Sequence, residues 1–465
     1  MSRKIGLPAL FLVATLLGSL TAHADLAGAQ KAYAAKDFEG AFQRYLEIAT
    51  LGNVTAQENL AAMYVDGEGV NRDNVLGYAW AVIARENGGN AAMQNIIDQL
   101  QPHLDDKARA RVKAVTDEFG KAALEARLLP KPLKDLPVPP KQENCTMTRP
   151  VNPDDYYPPG AIQKGISGTV FMEVVVSPDG HAHRPHVLYS IPEGMFEQAG
   201  RAIAWLSGYS THKPDASATD CVLRFKTKFH TSGQSKTDPY SQGYENLKRL
   251  AEKGDPVAQV MYGLFVFGQS PQQPDAPQPI DWYLKAAQAG VPYAQYLVGV
   301  DLLRISAHAP ESEKQKGLVW LQVAAANGRA DAKFALASYR LRTDPAATSD
   351  GTVFAWLEDA AKDGHRDGTL YLAALLATSP DAARRDPARA ITLVGLDKWD
   401  FDSDPTAIEV LAAANAQLGK FSDAVALEKR AIRGAQRFKW DIAPLQQRLA
   451  KYEARTAWTG NLLDP

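Results

Sequence analysis

Three histidines stand close together at His181, His183 and His186. On a strand, positions 181 and 183 share a face, which is the least geometry a cation needs. No carboxylate or thiol completes the set, and short motifs of this kind match by chance, so the plain reading is a row of surface histidines. Further on, Arg224, Lys226 and Lys228 alternate along one face of a strand-like segment. Asp359 and Asp363 fall at helical spacing, as surface carboxylates commonly do. Gly67-Glu68-Gly69 lacks a preceding strand and reads as a turn, not a phosphate cradle. No P-loop, GxSxG or HExxH occurs. These residues give no basis for an active site. The expectation is a non-enzyme with no cofactor, no metal and no small-molecule substrate.

The chain around them has 465 residues, enough for about three domains. It is 45% hydrophobic and 22% charged, so it can bury real cores. Its net charge of −2 argues against a general nucleic-acid binder. Two cysteines exclude a disulfide-rich scaffold and a structural zinc ribbon. Beyond the N-terminus no apolar run is long enough to cross a bilayer.

Arg3 and Lys4 precede a mostly apolar stretch from Ile5 to Ala22, and Ala22-His23-Ala24 offers small residues where signal peptidase reads. This is the three-part export pattern, with cleavage expected before Asp25. An uncleaved anchor is the alternative, since the run is of borderline length.

A repeat governs most of the remainder. Gly52 and Gly88 lie 36 residues apart, and Gly254, Gly290, Gly328 and Gly364 follow at spacings of 36, 38 and 36. Alanine stands three or four residues before each (Ala49, Ala84, Ala251, Ala286, Ala324, Ala360) and a small residue four after (Ala56, Ala92, Ala258, Ala294, Ala332, Gly368). Trp282, Trp320 and Trp356 each precede their glycine by eight. A glycine that ends one helix in the left-handed region, and alanines that admit a close neighbour, describe helical hairpins. One hairpin cannot bury its apolar face alone, so such units stack into a solenoid. Residues 40–92, with Leu60, Ala61, Met63-Tyr64, Gly67, Gly69-Val70, Asp73, Trp80 and Ala84, closely resemble the Sel-one-like (SLR) repeat, and 245–375 are similar. Residues 406–433 resemble a tetratricopeptide unit through Leu411, Ala414, Leu418-Gly419, Phe421, Ala424 and Ala431. The resemblance implies a partner-binding scaffold, in which the repeat positions themselves chiefly pack.

Between the two repeat tracts the pattern changes. Leu129 to Lys141 holds five prolines and reads as a stiff linker. Thr169 to Val176 then alternates, with Val170, Met172, Val174 and Val176 on one face and Phe171 and Val175 on the other. Ser177-Pro178-Asp179-Gly180 is a turn, and His181 to Tyr189 returns as a second strand. Gly194 to Trp205 is a helix candidate, and Cys221 to His230 a third strand. Tyr157-Pro158, Ala161, Gly165, Gly168-Thr169-Val170, Val174, Val176, Asp179-Gly180, Val187, Ser190, Phe196, Ala199 and Trp205 stand in the order of the TonB C-terminal domain, which residues 150–232 resemble.

That resemblance implies a periplasmic domain that docks on outer-membrane transporters by accepting an extended segment as an added strand. The third strand, Val222 to His230, would be the receiving edge, with Arg224, Lys226 and Lys228 attracting an acidic partner. Alternatively these charges are a solvated face that discourages edge-to-edge aggregation. In an oxidising periplasm Cys145 and Cys221 are expected to form a disulfide. Closing that loop would stabilise by at most about 4 kcal/mol.

Two features depart from the family. Trp205 is followed by Leu206-Ser207-Gly208-Tyr209, with proline only at Pro214, and the proline-rich spacer is short. Ser19 and His23 match the S-x-x-x-H spacing of the TonB anchor helix, but His23 lies inside the expected cleavage site. The expected organisation is therefore an export signal (1–24), N-terminal SLR repeats (25–128), a linker (129–144), a TonB-C-like β-β-α-β domain (145–235) and a C-terminal SLR/tetratricopeptide-like solenoid (236–460). The fold class is an α+β domain between all-α segments. The expected function is periplasmic protein–protein interaction, with no nucleic acid. A genuine TonB-type energy transducer with a retained anchor, and a cell-wall-binding module or unrecognised enzyme, are the alternatives.

Overall fold

The computed structural model describes residues 26–130, 146–176, 182–191, 194–210, 221–229, 241–267, 278–305, 311–395, 404–438 and 440–462. The chain is mostly helical with a small β region. The first helices are α1 (Leu26–Ala34), α2 (Phe38–Ala49), α3 (Val54–Asp66), α4 (Asn74–Glu86), α5 (Ala91–Leu100), α6 (Asp106–Phe119) and α7 (Lys121–Arg127). The β region holds β1 (Thr146–Arg149), α8 (Pro159–Gln163), β2 (Gly168–Val176), β3 (Ala182–Ile191), α9 (Glu197–Leu206), β4 (Gly208–Ser210) and β5 (Cys221–Phe229). Helices resume with α10 (Ser241–Glu252), α11 (Pro256–Phe267), α12 (Pro279–Gln288), α13 (Pro292–Ile305), α14 (Glu311–Ala326), α15 (Ala330–Thr343) and α16 (Gly351–Lys362). The last are α17 (Arg366–Thr378), α18 (Pro387–Val394), α19 (Pro405–Gln417), α20 (Phe421–Arg437) and α21 (Ala443–Glu453). None of the described helices is long and apolar enough to cross a membrane.

The chain divides into two compact units. One comprises Met1–Pro137, Gln242–Phe267 and Pro271–Ala332; the other comprises Val138–Ser241, Gly268–Ser270 and Lys333–Pro465.

In the first unit the repeat glycines do what their spacing predicts. Gly52, Gly88, Gly254, Gly290 and Gly328 all have φ between 82° and 95°, and Gly364 of the second unit has 84°. The alanines before and after them are buried, except Ala92. The exception has a local cause. Elsewhere the second helix starts two residues after the glycine, but Gly89 delays α5 to Ala91. One extra residue turns a helix by about 100°, so Met93 and Ile97 face the core and Ala92 faces out.

Buried glutamines pin the hairpins. Gln57, Gln259 and Gln295 each stand five residues after a repeat glycine, and each Nε2 donates to a carbonyl of the preceding helix: Ala49 (3.1 Å), Ala251 (3.2 Å) and Ala287 (3.2 Å). Asn87 and Asn327 of following repeats donate in turn to the Gln57 and Gln295 side-chain oxygens. The N-terminal repeats also meet the middle ones. The Leu26 N–H donates to the Ala289 carbonyl at 3.1 Å. The Leu128 and Leu129 carbonyls accept from Trp320 Nε1 and Lys316 Nζ, both at 2.9 Å. The repeat tract is thus interrupted in sequence by the β region but packs together within this unit.

In the second unit β2 is central in a three-stranded antiparallel sheet ordered β3-β2-β5. Val170, Met172, Val174 and Val176 of β2 are fully buried on one face, where Val170 and Met172 pack with α9 and Val174 and Val176 pack with Ala182 and Tyr209. The helix approaches closely because Gly200 has no side chain; a Cβ there would lie 2.9 Å from both Met172 Sδ and Val170 Cγ1. Two details differ from the sequence expectation. Helix α9 begins at Glu197, not Gly194, because Gly194 takes φ 81° and its N–H donates to Glu197 Oε1. After Trp205 the chain forms β4, which pairs with β1 in a separate two-stranded sheet.

Candidate partner-binding edge and its support

The outer strand β5 is placed by its register on β2: Phe225 lies opposite Met172, Thr227 opposite Val170 and Phe229 opposite Gly168. Thr227 and Phe229 are buried on the core side. Phe229 stacks on Phe196 with centroids 4.7 Å apart, and Tyr157 meets both rings edge-on. Tyr157 also donates its hydroxyl to the Ile166 carbonyl at 2.7 Å, and burial pushes its pKa up. Pro158 caps α8, and Gly168 opens β2. Tyr157 and Phe196 of this aromatic floor are motif residues that the sequence singled out, and Phe229 of β5 completes it.

Lys226 and Lys228 lie on the opposite face of β5, across from Phe171 and Thr169. Both lysines are half-buried, and Phe171 and Thr169 are buried, so this face is covered more than an open charged surface would be. Arg224 is in register with Glu173. The side chains of Arg224 and Cys221, and all of Cys145, Asp179, Gly180 and His181, lie outside the described residues, as does the His183 side chain. Among the described residues β2 is the one strand paired with β5, whose other side is the edge of the sheet.

The other side of the domain meets the C-terminal repeats, which sequence reasoning missed. Trp205 of α9 packs against Phe438 and Trp440 at 5.2 and 6.4 Å between centroids. His186 of β3 faces Asp367 of α17, with Nδ1 3.5 Å from Oδ2, and lies beside the His365 ring. Asp367 also pairs with Arg366 at 3.0 Å, and Arg366 with Asp404 at 2.7 Å. Burial alone would raise the Asp367 carboxyl, but His186, Arg366, Arg201 and His365 together hold it well below the usual carboxylate range. Burial lowers the Arg201 guanidinium of α9, against the pull of Asp367. So the histidine run contributes one member to a structural ion cluster, and no group of metal-ligating side chains occurs among the described residues. Asp359 and Asp363 both face Lys333, at 3.5 and 2.9 Å. Lys333 and Asp363 occupy the places that Gln295 and Asn327 hold one repeat earlier, an ion pair replacing an amide pair.

Residues 153–231 match the family described as the Gram-negative bacterial TonB protein C-terminal. This TonB-like segment is the described β-β-α-β sheet with its lead-in. No curated protein matches the chain. Among solved structures the chain is similar to an SLR-fold protective antigen of uropathogenic Escherichia coli. The identity is 16% and the TM-score 0.33, covering 90% of this chain and 77% of the other. It is also similar to a Sel1 repeat protein of Oxalobacter formigenes (13%, TM-score 0.26, covering 77% and 95%) and to yeast Tom70 (12%, 0.25, covering 95% and 81%). The TonB-like domain points to a role in protein interaction.

Proposed function

We propose that the chain is an exported periplasmic interaction protein whose TonB-like domain captures an extended segment of an envelope protein along the outer edge of β5. The observation that carries this reading is the sheet order, which leaves β5 at the rim over an aromatic floor. Main-chain hydrogen bonds would supply the affinity, and alternate side chains of β5 the selectivity. The SLR repeats would be the second binding scaffold, and tethering two partners raises the effective concentration of each near the other. An outer-membrane transporter is the partner class that the TonB likeness favours.

Proline scanning of the full chain tests this. Along a strand successive N–H groups point to opposite sides, so of positions 226 and 227 one faces β2 and the other faces outward. Proline removes an N–H, and only the outward position tolerates it without loss of the ladder to β2. Lys226→Pro and Thr227→Pro are both made, and circular dichroism identifies the folded one. That variant is expected to recover at least about ten-fold less partner from solubilised outer membrane, the loss of one or two main-chain hydrogen bonds. Undiminished recovery by the folded variant would refute capture along β5.

A further inference from the structure

The last repeat hairpin contains a charge imbalance that neither the sheet edge nor the repeat pattern requires. Glu409 of α19, Glu428 of α20 and Arg448 of α21 meet where these three helices pack, all buried. Arg448 gives both of its bonds to one partner: Nε donates to Glu409 Oε1 at 2.9 Å, and Nη2 donates to the same oxygen. Glu428 is 0% exposed, its Oε1 is 3.7 Å from Arg448 Nε, and neither of its oxygens has a hydrogen-bond partner among the described residues. The Tyr452 hydroxyl of α21 is likewise buried and has no hydrogen-bond partner among the described residues. Asp404, before α19, is committed to Arg366. Lys429 and Glu453 pair with each other at the half-exposed rim, and Lys451 Nζ lies over the Trp458 ring. One guanidinium therefore stands between two interior carboxylates.

We propose that this cluster is a proton-operated latch on the last hairpin: a proton held by Glu428 closes α21 onto α19 and α20, and its loss releases them. Two ionised carboxylates against one cation would leave a bare charge in the interior, which is strongly unfavourable. A neutral Glu428 avoids that cost. Burial, and next the Glu409 charge, push Glu428 up to about 8; Arg448 opposes them. Burial likewise raises Glu409, which keeps both Arg448 bonds and so is the better carboxylate for the charge. When α21 lifts, Glu428 meets water, returns to ordinary carboxylate behaviour and releases its proton. The native value exceeds the open one, so closure is strongest below the ordinary glutamate range and weakens as pH rises through about 8.

The position of the latch gives it a consequence. The α20–α21 connection carries Phe438 and Trp440, the residues packed against Trp205 of the TonB-like domain. Beyond α21, the Trp458 carbonyl accepts from Gln417 Nε2 and the Gly460 N–H donates to the Thr378 carbonyl. Release of α21 would loosen both the aromatic contact and this closing tail.

Hydrogen exchange of the full chain between about pH 6 and about pH 9, corrected for intrinsic exchange, tests the latch. Wild-type α21 amides should open on the order of ten- to a hundred-fold more readily at the upper pH, while α17 amides change little. Glu428→Gln, an uncharged mimic of the protonated acid, should flatten that slope. A pH-independent α21 in the wild type, or an unchanged slope in the variant, would overturn the proposal. Infrared spectroscopy of the wild type gives a reading free of substitution. A neutral-carboxyl band present near pH 6 and gone near pH 9 supports the latch, and its absence near pH 6 refutes it.

Discussion

Asp367→Asn tests whether the TonB-like domain and the C-terminal repeats of the second unit are held by charge or by shape. Asparagine keeps the volume of aspartate, so packing is little altered and the change is electrostatic. In the wild type the Asp367 carboxylate, 18% exposed, bonds Arg366 and faces His186. It also sets the charge around Arg201, whose Nε has no hydrogen-bond partner among the described residues. Removing one partner from a fully buried ion pair costs about 3–5 kcal/mol. The residual exposure of Asp367 and the retained Arg366–Asp404 bond place the cost lower, at roughly 2–3 kcal/mol. Amides of β3, α9 and the start of α17 should then open about 30- to 150-fold more readily by hydrogen exchange. The unfolding midpoint of this unit should drop by about 4–12 °C in calorimetry of the full chain. The pH dependence supplies an internal control. The native carboxyl lies below its unfolded value, so its contribution is present above the ordinary aspartate range and is lost as pH falls through the native value. Wild type and variant should therefore converge in acid. A variant within about 0.5 kcal/mol of wild type at neutral pH would refute the electrostatic account and leave the Trp205 contact as the main tie.

Two substitutions probe the repeats. Gly368→Ala places a Cβ 2.8 Å from the Ala360 Cβ, between α16 and α17. Overpacking at a rigid contact costs about 1–3 kcal/mol, more than the helix propensity gained, so denaturation should show net destabilisation; a stabilised variant would show that the helices can part freely. Gln295→Leu leaves the Ala287 carbonyl with the Gly290 N–H as its remaining donor and the Asn327 amide without its side-chain acceptor, and should cost about 1–3 kcal/mol in the first unit, read by urea denaturation, whereas no change would show that water replaces the bond.

The repeat was legible because one residue type at a fixed period has one conformational job: glycine at positive φ after each first helix. The strands β2, β3 and β5 were legible because alternation and turn residues are local signals. The glutamine pins were within reach of the same reasoning, since Gln57, Gln259 and Gln295 share an offset of five from a repeat glycine. The ion cluster was not. His186, Arg201, Asp367 and Asp404 come from four elements, and nothing local in the chain sets them together. Strands β1 and β4 are too short to show a period. The departure noted after Trp205 does have a local outcome, because Gly208 to Ser210 form β4.

The sheet of the second unit has two rims with unlike surroundings. On the β3 side, His186 reaches the carboxylate of a repeat helix, and the cluster behind it ties α9 and α17 together through Arg201 and Arg366. On the β5 side, the register on β2 ends the sheet. Under the proposed strand capture an incoming segment at β3 would run beside the His186–Asp367 contact, whereas at β5 it would run beside the rings of Tyr157, Phe196 and Phe229. The contacts on the β3 side would then favour the β5 rim as the receiving edge. The two rims should therefore respond differently: a proline that faces outward from β5 should cut partner recovery at least about ten-fold, while Asp367→Asn, which frees the β3 side, should leave recovery at β5 intact or add a second, weaker mode of binding. Loss of recovery in Asp367→Asn with β5 still protected from exchange would count against the division of labour between the rims.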